Sequence, residues 1–171
     1  MRSLTRRAQL IPLALGLAVA MVPFASSADT PAGASAPAPT PESFVLYRQK
    51  VMGAIFGNCG AIGDILKNGL PYQANIPTHA KLLHGNIGMI ETAFKQKVSE
   101  GKTDAKATIW EDWSKFDGKV KALDAEVAKL ESVAAKGNAA EIGAQFGKVG
   151  AACKSCHDDF RKPKEESWKG K

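Results

Sequence analysis

The stretch NAAEIGAQFGKVGAACKSCHDDF, residues 138–160, reads as one amphipathic helix. Ile142, Phe146, Val149, Cys153, Cys156 and Phe160 recur at intervals of three and four, which lines them along one face of an α-helix. Asn138, followed three residues later by Glu141, has the form of a capping box, and Pro163 closes the segment. Upstream, Ile109, Trp113, Phe116, Val120, Leu123, Val127 and Leu130 repeat the same spacing, with Gly137 as the stop. Ile76, Ala80, Leu83, Ile87, Ile90 and Phe94 form another stripe, which Val98 could extend. The first stripe is Val45, Arg48, Met52, Ile55, Cys59, Ile62 and Leu66. It opens with Thr40 as N-cap and Pro41 at the first helical position, and it ends at Asn68-Gly69 before Pro71. No segment alternates with period two long enough to compete as a strand. Four helices with short connections pack antiparallel, so the predicted fold is an all-α, up-down-up-down four-helix bundle.

The 171 residues suffice for one domain plus accessories; 44% are apolar and 23% charged, the balance of a soluble globular chain. Three cysteines are too few for a disulfide scaffold, so a hydrophobic core must stabilise the fold. Arg2, Arg6 and Arg7 precede an uncharged stretch that is most apolar from Leu10 to Val22 and ends in the small residues Ala25-Ser26-Ser27-Ala28. A basic start, a short apolar middle and a small-residue end are the parts of a cleavable secretory signal, expected over residues 1–28. Its removal takes away three arginines and no acid, lowering the formal charge from +6 to +3. A charge that mild argues against nucleic acid as a partner. Residues 29–40 hold no apolar side chain larger than Ala or Pro and read as a disordered linker. The bundle is expected over 41–163, followed by a basic tail over 164–171 that includes Lys164, Lys169 and Lys171.

Within the last helix, Cys153-Lys154-Ser155-Cys156-His157 is a CxxCH pentapeptide, the attachment pattern of c-type haem. Two thiols at this spacing can add to the two vinyl groups on one side of the macrocycle, and the next histidine can meet the iron. A redox CxxC wants a strand-helix context, and a zinc half-site wants a second pair of ligands; neither is present in the sequence. The pattern therefore implies one covalent haem c with its iron, inside the bundle.

A C-terminal CxxCH on the last of four helices resembles the class II cytochromes c, the relatives of cytochrome c-prime. The resemblance covers residues 42–163 and is strongest at Tyr47-Arg48-Gln49…Met52, Ile109-Trp110 and Val149 to Arg161. It implies that Cys153 and Cys156 form the thioethers and that His157 is the proximal axial ligand. Arg48 and Gln49 match first-helix positions that contact haem propionates, where a buried carboxylate needs a cation. Arg161 matches an arginine beside the proximal imidazole, and Asp104 corresponds to a loop residue that touches the haem edge. Met52 stands where the gas-binding members carry an apolar residue such as Leu. A thioether is a soft ligand for haem iron, so the expectation drawn from Met52 is distal axial ligation and the low-spin, methionine-ligated branch. Plain core filling is the other reading of this side chain.

With both axial positions filled, the expected function is a periplasmic monohaem carrier of single electrons, serving periplasmic or membrane-bound redox proteins. The alternative is a five-coordinate protein that binds or sequesters NO or CO, with Met52 only shielding the distal face. No catalytic constellation appears elsewhere, so an enzyme is not expected. Pairing through the first two helices, frequent in this class, admits a homodimer. Cys59 reads as a small core residue, with an intermolecular disulfide as the lesser reading. His79 and His84 lie five residues apart, share no helix face and read as rim residues.

Overall fold

The computed structural model describes residues 37–170; the expected signal over 1–28 and most of the linker lie outside the described residues. Six α-helices follow in chain order among the described residues: α1 (Pro41–Asn68), α2 (Ile76–Ile87), α3 (Ile90–Phe94), α4 (Thr108–Glu111), α5 (Trp113–Ala134) and α6 (Ala139–Phe160). Helices α1, α5 and α6 are three legs of the bundle, and α2 with α3 makes the fourth. Among the described residues there is no strand, and no helix is long and apolar enough to cross a membrane.

Helix α1 starts and stops where its residues dictate. Thr40 stays extended (φ −91°, ψ 158°), and its Oγ1 accepts a hydrogen bond from the Ser43 N–H at 3.2 Å. At the far end Gly69 takes a left-handed conformation (φ 62°) and donates its N–H to the Ile65 carbonyl. The start of α6 is likewise local: Asn138 Oδ1 accepts from the N–H groups of Ala140 (3.0 Å) and Glu141 (3.2 Å). Glu141 completes a variant of the expected box, because its carboxylate accepts from the Asn138 side-chain amide (3.2 Å) rather than the backbone.

Two stripes differ from the sequence expectation. The second is broken: α2 ends at Ile87, Gly88 and Met89 turn, and α3 stops at Phe94. Gly88 has low helix propensity, and the Met89 N–H bonds to the Asn86 carbonyl in a tighter turn. Ile87 and Ile90 both still reach the core. The third stripe starts late. Ile109 belongs to the single turn α4, and Asp112 (φ −129°, ψ 68°) interrupts it to cap α5 by accepting from the Lys115 N–H at 3.0 Å.

α1 packs on α2, α2 on α5 and α5 on α6, whereas α6 and α1 meet in few places. The α5–α6 pair runs antiparallel: Lys119 donates to Ser155 Oγ (2.5 Å), and Glu126 meets Gln145 (2.7 Å) further along. Fully buried Ile62, Ile76, Leu83, Val127, Leu130 and Val149 fill the centre, each stabilising the fold by about 1.5–3 kcal/mol through burial. One end is aromatic. Phe116 lies 5.2 Å from Phe94, 5.4 Å from Trp113 and 5.3 Å from Phe160, the last edge-on at 84°.

Candidate haem site

α6 carries Cys153 and Cys156 one turn apart, both half-buried against the core, with His157 exposed beside them. Burial pushes the Cys156 thiol up to about 11, the nearby Lys119 cation only partly opposing it, and raises Cys153 as well. Both are therefore neutral thiols at physiological pH. Although the residue is exposed, desolvation by the chain around it lowers the His157 pKa, and the Arg161 charge one turn on lowers it further against the opposing Asp158, which favours the neutral imidazole with a free lone pair.

On α1, Arg48 and Met52 lie one turn apart on one face. Met52 is half-buried and packs against the core. Arg48 is 3% exposed, its pKa lowered by burial. Its guanidinium lies between the rings of Phe94 and Trp110, 5.2 Å from each centroid, and Nη2 donates to the Val98 carbonyl at 2.6 Å. The Trp110 indole N–H is itself fixed by the Phe94 carbonyl (2.8 Å). Arg48 Nε and Nη1 are buried and find no hydrogen-bond partner among the described residues. Leaving two buried guanidinium donors unmatched is costly; an anion beside them relieves that cost.

Gln49 donates to the Lys102 carbonyl (2.7 Å), so α1 is tied at two successive residues to the loop between α3 and α4. Asp104 in that loop is half-buried and faces the C-terminal segment: its carboxylate accepts from Ser167 Oγ (3.0 Å) and the Trp168 N–H (3.1 Å). The Asp104 carbonyl also accepts from the Lys162 N–H (2.7 Å). Arg161 is exposed and bridges to Ala105, joining the same loop to the end of α6. The segment after Pro163 is thus fastened to the loop. Among the described residues, the structure brings Cys153, Cys156 and His157 together on α6 and Arg48, Gln49 and Met52 together on α1. Asp104 and Arg161 share the loop junction.

Cys59 is half-buried and packs against the core, its thiol pushed up to about 11 by burial with Cys153 nearby. His79 meets Asn58 (3.0 Å), and His84 meets Glu131 (2.6 Å) and Asp124 (3.4 Å), all away from the CxxCH turn. The aromatic clamp on Arg48 and its bond to Val98 were not anticipated from sequence. Phe94 and Trp110 sit in segments whose apolar spacing predicts only core, and a backbone acceptor leaves no residue-type signal.

A covalently held haem fits these residues. Two thiols share a helix face with a neutral imidazole next to them. The facing helix offers a thioether and two unpartnered buried donors suited to a propionate, and the two helices pack little against each other.

Comparison with known proteins agrees. The family model described as Cytochrome C' matches residues 43–161. Cytochrome c' of Alcaligenes xylosoxydans xylosoxydans is 34% identical over 125 residues, covering 72% of this chain and 97% of the relative. Cytochrome c prime from Shewanella frigidimarina superposes with a TM-score of 0.68 at 31% identity, over 72% of this chain and 98% of that one. The nitric oxide complex of a leucine-to-isoleucine variant of cytochrome c prime from Alcaligenes xylosoxidans does so with a TM-score of 0.66 at 34% identity, over 72% and 98%. An all-α bundle carrying a CxxCH turn on its last helix, matched along its length by these proteins, belongs to the cytochrome c' family, whose members hold one covalent haem c with its iron.

Proposed function

We propose that the protein binds small diatomic gases, nitric oxide and carbon monoxide, at a five-coordinate haem held by α6. The observation that carries this reading is the match of the whole domain to cytochrome c' proteins, one of them solved as a nitric oxide complex. The comparisons lend no support to the low-spin, methionine-ligated branch expected from Met52. They favour the gas-binding alternative over a His/Met electron carrier.

When bound, haem iron supplies one open coordination position to a diatomic ligand. The chain does the rest. Cys153 and Cys156 fix the group to α6 through two thioethers, so it cannot dissociate. His157 would ligate the iron, its neutral form favoured by desolvation and by Arg161. Met52, on the same face of α1 as Arg48, would serve as an apolar shield that excludes water and larger ligands rather than as a ligand. Arg48 would offer its free donors, which lie on different edges of the guanidinium, to propionate oxygens, while Gln49 holds the loop behind it. The Asp104 carbonyl, bonded to the Lys162 N–H, and the Ala105–Arg161 bridge would keep the loop and the end of α6 together beside the group. The expected signal over 1–28 directs the chain to the periplasm, and exposed Leu46 and Tyr47 of α1 with Leu82 of α2 and Met89 in the turn after it support a homodimer through that face. The role is that of a binding protein rather than an enzyme.

Titration of the ferrous protein with carbon monoxide, followed in the visible spectrum, tests the reading. One ligand is expected per chain, with faster uptake in Met52→Ala. A spectrum unmoved by saturating gas, becoming responsive only in Met52→Ala, would restore the electron carrier.

A further inference from the structure

Among the described residues, Phe56 is the most exposed large apolar side chain, at 77%. Helix geometry places it toward the α6 side of α1. A Cβ on Gly63 would lie 3.6 Å from the Phe146 ring, so this is where α1 meets α6. Seven residues return a helix to nearly the same face. One heptad back from Gly63 is Phe56, and one heptad onward along the antiparallel α6 from Phe146 is Cys153. This register puts Phe56 level with the first cysteine of the CxxCH turn, one turn before Cys59, which itself lies near Cys153. It also follows Met52 by one turn on the same helix.

The α2 side of α1 lies elsewhere. Asn58, which meets His79 of α2, is about 160° around the helix from Phe56 at 100° per residue. A second copy docked on α1 and α2 would leave Phe56 uncovered, whereas a flat apolar group fastened to Cys153 and Cys156 would cover its ring. Gly60, one turn further on, would have no neighbour within 4 Å of an added Cβ, so the ring has room to swing.

We infer that Phe56 packs over the haem face that Met52 shields and that its ring gates entry of the gas ligand to that face. The inference rests on the proposed gas-binding function and adds a second determinant of ligand access. Met52 occupies the space above the metal; Phe56 closes the approach along α1 from the α6 side.

The test uses the haem-loaded full chain. With 4-fluorophenylalanine placed at position 56 alone, the fluorine line of the ferric protein should be displaced and broadened relative to the same protein in urea, because the ring lies close to a paramagnetic centre. A line at the position of an ordinary exposed ring would overturn the placement. Carbon monoxide association after flash photolysis should be about tenfold faster in Phe56→Ala, a change of roughly 1.4 kcal/mol in barrier, with Phe56→Leu intermediate. A side chain this exposed can be truncated without loss of the core. Unchanged rates in both variants would overturn the gate. If the wild type takes up no gas, the proposed function falls and the fluorine line still decides the placement. The gate is then read by comparing Met52→Ala with Met52→Ala/Phe56→Ala.

Discussion

Replacing Arg48 by methionine separates two physical states of the same side chain by the sign of one free energy. The guanidinium is 3% exposed, donates once to Val98, is sandwiched by Phe94 and Trp110, and has two buried donors unmatched among the described residues. Two unsatisfied buried donors cost about 2–6 kcal/mol. The charged bond to Val98 returns about 1.5–3 kcal/mol, and each ring contact about 0.5–2 kcal/mol. Left like this, Arg48 is close to neutral for stability, and an apolar residue of similar length would match or improve it. With propionate oxygens at Nη1 and beside Nε the penalty falls, and removing one partner of the buried pair costs about 3–5 kcal/mol. The haem-loaded Arg48→Met protein should therefore lose about 3 kcal/mol or more in urea unfolding, followed by far-ultraviolet dichroism and the haem band together. Equal or higher stability of Arg48→Met would refute the propionate assignment and leave Arg48 a purely structural residue.

Phe116→Ala should lower stability by about 3–5 kcal/mol, since the ring is buried and touches Phe94, Trp113 and Phe160; thermal melts that overlay the parent would show that end to be loosely packed. Asn138→Ala removes the acceptor for two N–H groups at the start of α6 and should cost about 1 kcal/mol, measured by urea unfolding; no change would mean that α6 does not depend on its cap. Asp159 has its pKa held below the ordinary 3.8 by hydrogen bonds from Lys115 and Lys119. A depressed carboxylate stabilises the fold above its unfolded pKa and loses that contribution as pH falls through the folded value. Stability should thus decline below about pH 4, and Asp159→Asn should flatten that decline; an identical acid limb in the variant would contradict the ion pairs.

Helix ends and the haem turn were legible because their signals are local. Thr40, Pro41, Gly69 and Asn138 act within one turn of themselves, and CxxCH needs only one helical turn to present its three side chains. The break at Gly88 was harder to see, because Ile87 and Ile90 keep a spacing that an unbroken helix also produces. The late start of α5 turned on Asp112, whose capping role depends on a backbone angle that apolar spacing does not encode. The partners of Arg48 and Asp104 lie 50 and 64 residues away along the chain at Val98 and Trp168. No pattern in either segment announces the other. Met52 is the instructive case: its chemistry permits ligation, its position fits both a ligand and a shield, and relatives rather than geometry favour the shield.

The coordination number of the iron tests the central claim most directly. Magnetic circular dichroism of the purified protein in both oxidation states should show a high-spin, five-coordinate haem with histidine as its single axial ligand. A low-spin signal with a thioether-to-ferric-iron band, abolished in Met52→Ala, would contradict it.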